Sequence, residues 1–137
     1  MNDSSKQDLG TGADQKRDAV KKMMVHAWRN YVRYAWGYDE LDPLRERGSS
    51  SPIFGFANIG ATIVDSLDTL HVMGMVKEFK AAREWVANQL NFNQSRQSVS
   101  VFEFNIRFLG GLLSAFALTD DEVGGLTSID LFVCNWL

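Results

Sequence analysis

The stretch GATIVDSLDTLHVMGM, Gly60 to Met75, decides the fold. Ile63, Val64, Leu67, Leu70, Val72 and Met73 leave little polar surface on a helix running from about Ala61 to Met75, apart from Asp65, Asp68 and His71. A helix apolar on most sides is normally buried, so this segment needs neighbours on more than one face. Downstream, Lys77 to about Leu90 reads as an amphipathic helix, with Phe79, Ala82, Val86 and Leu90 on one side and Lys80, Arg83 and Glu84 elsewhere. A further helix runs from Val101 to about Leu118, with Phe102, Ile106, Leu109, Leu113 and Phe116 as its expected stripe. Gly110 and Gly111 inside it each cost roughly 1 kcal/mol against Ala, which points to close packing or a functional constraint.

Upstream, residues 37–60 form a long connection. Pro43, Gly48, Ser49, Ser50, Ser51, Pro52, Gly55 and Gly60 argue against regular structure there. Phe54 and Phe56 lie within it, so part of it is expected to pack on the core. Before it, Val20, Met24, Ala27, Trp28, Tyr31 and Ala35 recur at helical spacing, and Gly37 is a natural stop. Residues 1–15, rich in Ser, Asp, Gly and Gln, read as a disordered leader. The order is thus amphipathic, buried, amphipathic, buried, which predicts an all-α fold of helical hairpins stacked in two layers. Nothing reads as a sheet. The two buried helices carry more apolar surface than the two amphipathic ones can cover, so partner helices are expected. Residues 121–137 form a tail broken by Gly124 and Gly125, then mostly apolar without a helical stripe.

Composition excludes several functions. The 137 residues are 45% hydrophobic, enough for a core, with a net charge of −3. That charge provides no electrostatic footprint for a nucleic acid. The only basic cluster, Lys16, Arg17, Lys21 and Lys22, reads as solvated surface. Cys134 is the sole cysteine, so no internal disulfide is possible. No apolar run is expected to reach the ~18 residues of a membrane span, and the N-terminus lacks the apolar stretch of a signal peptide. N-x-S sequons occur at Asn2 and Asn93.

Glu103 with Arg107 is the strongest chemical candidate. Glu103 stands between Phe102 and Phe104 at a helix start. A carboxyl among apolar side chains is held toward its neutral, proton-donating form, as a general acid near neutral pH requires. Arg107, four residues on, shares its helical face and has a fork of donors suited to sugar hydroxyls. An ordinary ion pair at the beginning of a helix fits the same spacing. Asp65 and Asp68, three apart, form a second pair that either lines a cavity or bonds to backbone at a hairpin junction. His26 and His71 are isolated and predict no metal site. Trp28, Tyr31, Tyr34 and Trp36 fit core packing, or alternatively a sugar-stacking platform. Most glycoside hydrolysis needs two carboxylates flanking the scissile bond, and the residues offer no obvious partner opposite Glu103.

Three blocks carry a family resemblance: HAWRNYVRYAWGYDELDPL (His26–Leu44), GATIVDSLDTLHVMGM (Gly60–Met75) and SVFEFNIRFLGGLLSAFALT (Ser100–Thr119). From about Lys16 to residue 120 the chain resembles the N-terminal part of the class I α-1,2-mannosidases, glycoside hydrolase family 47, most closely the Golgi-type members. The resemblance implies the first hairpins of an (α/α)7 barrel, incomplete in this chain. It implies calcium-dependent, inverting removal of terminal α-1,2-linked mannose from high-mannose N-glycans in the Golgi or endoplasmic reticulum lumen. It makes Glu103 one of three essential carboxylates, the general acid acting through a water, and Arg107 a contact to the mannose in the cleavage subsite. Asp65 and Asp68 take no role from it. The other two carboxylates, the calcium-binding threonine and the paired cysteines are expected beyond the matched stretch, which stops after about Glu122. The family's cytoplasmic tail, membrane helix and stem have no counterpart here. The competing expectation is a non-catalytic helical module that binds a partner. Without a base and a metal site, the purified chain should release no mannose from high-mannose glycan. Mannose appearing at a rate proportional to chain concentration would sink that expectation.

Overall fold

The computed structural model of the chain describes residues 5–95 and 97–120, with side chains from residue 12 onward. Helix α1 spans Ser5–Ala35, and a two-stranded antiparallel hairpin follows, β1 (Glu40–Asp42) and β2 (Arg47–Ser49), with Leu41 opposite Gly48. Helices α2 (Ala61–Val72) and α3 (Val76–Gln89) come next. Last, α4 (Val101–Phe104), a π-helical turn (Asn105–Leu109) and α5 (Gly110–Thr119) run on without a break. Short 3-10 turns at Pro52–Phe54 and Phe92–Gln94 complete the connections.

The all-α reading holds for the architecture, with α2 buried between its neighbours through Ile63, Val64, Leu67 and Leu70. On α3, Ala82 and Val86 are buried, and Phe79 and Leu90 pack against the core as the periodicity requires. Three expectations are corrected. First, the hairpin is a small sheet in the stretch expected to be irregular. Asp42 makes its turn, accepting the N–H groups of Leu44 at 3.2 Å and Arg45 at 3.1 Å, a local side-chain turn that pattern alone did not reveal. Second, α1 begins at Ser5, so residues 5–15, expected as a disordered leader, continue the helix. Once Trp28 and Tyr31 anchor the helix in the core, each further residue adds a hydrogen bond without a new nucleation cost. The polar composition of this part is consistent with its exposure. Residues 1–4 and the expected tail at 121–137 lie outside the described residues.

Third, the stripe expected on the last helix faces outward. Phe102 is 67% exposed, and Ile106 and Leu113 are also exposed, whereas Phe104, Phe108, Leu112 and Ala115 are buried. The π-helical turn is the reason. A wider turn shifts the facing residues away from a uniform 3.6-residue period. This helix, Val101–Thr119, is also long and apolar enough to cross a membrane by length and composition, contrary to the expected absence of such a run. Its apolarity belongs to two faces, one packed on α2 and one uncovered among the described residues.

The long connection is organised by one buried carboxylate. Asp39, 1% exposed, accepts the N–H groups of Ser51 at 3.1 Å, Ile59 at 3.1 Å and Ala61 at 3.4 Å. Its own carbonyl accepts the Thr62 hydroxyl at 2.6 Å and the Thr62 N–H at 3.1 Å. Burial pushes the Asp39 carboxyl above its ordinary range, and the three N–H groups pull it back. Tyr31 ties the same junction by donating to the Tyr38 carbonyl at 2.6 Å. Gly37 (φ +86°) ends α1 in the left-handed region as expected, and the Trp85 indole of α3 lies over both it and Gly60. Phe54 plugs into the core against Phe108, ring centroids 5.2 Å apart. Phe56, expected to share that role, is exposed instead.

Gly111 confirms the expected close packing. A Cβ there would stand 3.1 Å from the Val64 carbonyl oxygen, whereas one on Gly110 would meet only the Asn105 carbonyl oxygen at 3.5 Å. Opposite signs follow. Gly110→Ala should stabilise the chain by up to about 1 kcal/mol through helix propensity. Gly111→Ala should cost about 1–3 kcal/mol by forcing α2 and α5 apart. Urea denaturation of both variants checks this, and equal shifts would contradict the packing. Asp39→Ala strands three buried N–H groups and should cost about 2–4 kcal/mol in the same measurement. A loss well under about 1 kcal/mol would mean that water replaces the carboxylate.

Candidate active site

Three of the singled-out side chains meet at the α2–α4 junction. Ser100 caps α4, its hydroxyl accepting the Glu103 N–H at 3.4 Å. The cap sets Glu103 in the first turn, where an acid is favoured by the helix dipole. Arg107 donates from Nε to Glu103 Oε2 at 2.8 Å and from Nη1 to Asp65 Oδ2 at 2.8 Å. The side chains of Arg107, Asp65 and Glu103 are 42%, 35% and 25% exposed. The cluster is therefore half in solvent, open to a ligand on one side. Glu103 is not sunk among apolar groups as expected, because Phe102 turns outward and leaves the carboxylate beside a guanidinium. The hydrogen bond to Glu103, and after it that to Asp65, holds Arg107 above its already high ordinary range, so it is a fixed cation.

Asp65 and Asp68 are brought to the same helix but to different partners. Asp68 accepts the Ser114 hydroxyl at 2.8 Å and the Thr69 N–H at 2.6 Å. Neither the cavity nor the hairpin-junction alternative describes this pair, since both acids reach across to the last helix. Sequence reasoning missed the Asp65–Arg107 pair because its members are 42 residues apart. It missed Ser114 because a lone serine in an apolar helix gives no signal.

The remaining candidates resolve simply. Trp28, Tyr31 and Trp36 form a core cluster, Trp28 and Trp36 edge-to-face at 6.0 Å, and Tyr34 lies under the Arg33 guanidinium at 4.9 Å. His26 is exposed beside Asn30, and His71 meets the Phe79 ring at 5.4 Å. Arg17 of the basic cluster pairs with Asp14 at 3.1 Å on the surface. Among the described residues no three Asp, Glu, His or Cys side chains converge as a metal site requires. The two carboxylates that do approach, Asp65 and Glu103, are already bridged by Arg107. The chain's described residues therefore do not fit the calcium that the resemblance implies.

Residues 23–130 match the model of glycosyl hydrolase family 47. The chain belongs to that family. The match continues past Glu122, where the resemblance was expected to stop. The chain is 53% identical over 119 residues to the mannosyl-oligosaccharide alpha-1,2-mannosidase IA of Spodoptera frugiperda. It is 52% identical over 120 residues to the mannosyl-oligosaccharide 1,2-alpha-mannosidase IA of Sus scrofa, and 47% over 117 to the IB protein of Homo sapiens. These alignments cover 84%, 87% and 85% of this chain but 18% of each relative. The family 47 chain thus spans roughly a fifth of the length of the curated relatives it matches, and it includes the whole Glu103–Arg107–Asp65 cluster.

Proposed function

We propose that this chain supplies the general-acid side of an inverting α-1,2-mannosidase, within the first hairpins of an (α/α)7 barrel. The substrate is the terminal α-1,2-linked mannose of a high-mannose N-glycan, and the setting is glycan processing in the Golgi or endoplasmic reticulum lumen. The observation that carries this reading is the half-exposed Glu103–Arg107 pair, standing in a family 47 segment with relatives named for that activity.

In this reading Glu103 passes a proton toward the leaving glycosidic oxygen through a water. Arg107 donates to hydroxyls of the departing mannose. Inversion needs a second carboxylate across the bond, with room for a water, about 6.5–9.5 Å away. Asp65 does not fill that role, since it and Glu103 grip one guanidinium from the same side of any bound sugar. The opposite carboxylate and the calcium ligands are supplied by parts of the domain outside the described residues. The outward face of Val101–Thr119, with Phe102, Ile106 and Leu113, is where further barrel helices pack in this reading.

A chimera tests it. Residues 23–120 of this chain replace the corresponding segment of the Spodoptera frugiperda relative, and mannose release from a high-mannose glycan is followed. The chimera should turn over, and Glu103→Gln should lower kcat by about 10²–10⁴. A folded chimera without turnover, or one indifferent to Glu103→Gln, would reject the acid role and favour a non-catalytic helical module.

A further inference from the structure

Arg107 is gripped from two helices. Glu103 rides on the same helix and holds Nε, while Asp65 reaches from α2 and holds Nη1, each at 2.8 Å. The first grip alone is loose. Both of its side chains are long and share one backbone, so they can swing together about the helix surface. The second grip is firm for a geometric reason. Asp65 is short, and it sits on α2 between Val64, which is fully buried, and the close approach that Gly111 permits. Its carboxylate therefore has little freedom to follow a moving guanidinium.

We propose that Asp65 is a positioning residue for Arg107, fixing the guanidinium plane so that its uncommitted N–H groups face a pair of sugar hydroxyls. The proposal rests on the reading of Arg107 as a sugar-binding group. A guanidinium has five N–H donors in a rigid fork. With Nε and one N–H of Nη1 engaged, the Nη2 group and the other N–H of Nη1 are uncommitted among the described residues. They lie at the exposed part of a side chain that is 42% accessible. Two carboxylates on one cation also leave the cluster with net negative charge. A neutral polyol is accommodated there more easily than an anion. Rotation about the Nε–Cζ bond would exchange engaged for uncommitted N–H groups, and the Asp65 bond opposes that rotation. Asp68 is the internal control. It crosses the same helix–helix interface one turn on and bonds to Ser114 at 2.8 Å, with no bond to Arg107.

The test uses the 137-residue chain labelled with nitrogen-15 at arginine, and it reads the side-chain N–H resonances of Arg107. The unmodified chain should show slow rotation about Nε–Cζ. Asp65→Asn should speed that rotation about tenfold or more, in line with losing a hydrogen bond between charged groups, while Asp68→Asn leaves it unchanged. Unchanged rotation in Asp65→Asn, or equal acceleration in both variants, would overturn the proposal. Should Asp65→Asn unfold the chain, Asp65→Glu decides. Slow rotation in that variant supports the clamp, and fast rotation in a folded chain overturns it. The guanidinium resonances report the clamp and the chimera reports turnover, so a rigid Arg107 beside an inactive chimera removes only the mannosidase reading.

Discussion

A single carboxylate sets the geometry from which the rest is built. Asp39 is deep in the protein, and its oxygens are solvated by backbone N–H groups of Ser51, Ile59 and Ala61 in place of water. Those three residues are spread along a connection that would otherwise have no reason to adopt one shape. Ala61 is the first residue of α2, so the same carboxylate also meets the positive end of that helix. Fixing the start of α2 fixes the height at which Asp65 and Asp68 emerge from it. Fixing the loop seats Phe54 against Phe104 and Phe108, and the Ile53 carbonyl then accepts the Ser100 N–H at 2.9 Å where α4 begins. A buried charge with partners of this kind is costly to assemble and costlier to break, which suits it to specifying a conformation.

The charged cluster inherits this precision. Arg107 comes from the last helix and Asp65 from the second, and their meeting depends on how closely the two backbones run. Gly111 against Val64 sets that distance. The hydrogen bonds Asp65–Arg107 and Asp68–Ser114 then fasten the interface at two levels. Packing and chemistry are not separable here: the contact that buries Phe108 and Leu112 is the one that delivers Arg107 to its acids.

Much of this was legible beforehand. The buried character of α2, the amphipathic face of α3, the stop at Gly37 and the tight approach at Gly111 all followed from periodicity and from what glycine permits. Glu103 and Arg107 were visible as a pair because helical spacing makes them neighbours. What could not be read shares a cause, since it depends on residues far apart in the chain or on departures from regular geometry. Asp39 looks like one more acid in a polar loop until its distant N–H partners are known. Asp65 shows no sign of Arg107. The inward face of the last helix was misassigned because a uniform 3.6-residue period was applied across a turn that is wider.

That wider turn makes chain length a constraint in its own right. Asn105–Leu109 holds one more residue than an α-helical turn would need. Losing one residue there would convert the segment to ordinary helix and rotate everything after it by about 100° relative to everything before. Leu112, Ser114 and Ala115 would then leave α2 together, although no side chain among them had changed. Evolution can vary these residues one at a time, but in this segment insertions and deletions act as gear changes, and the spacing between Glu103 and Ser114 is inherited as a unit.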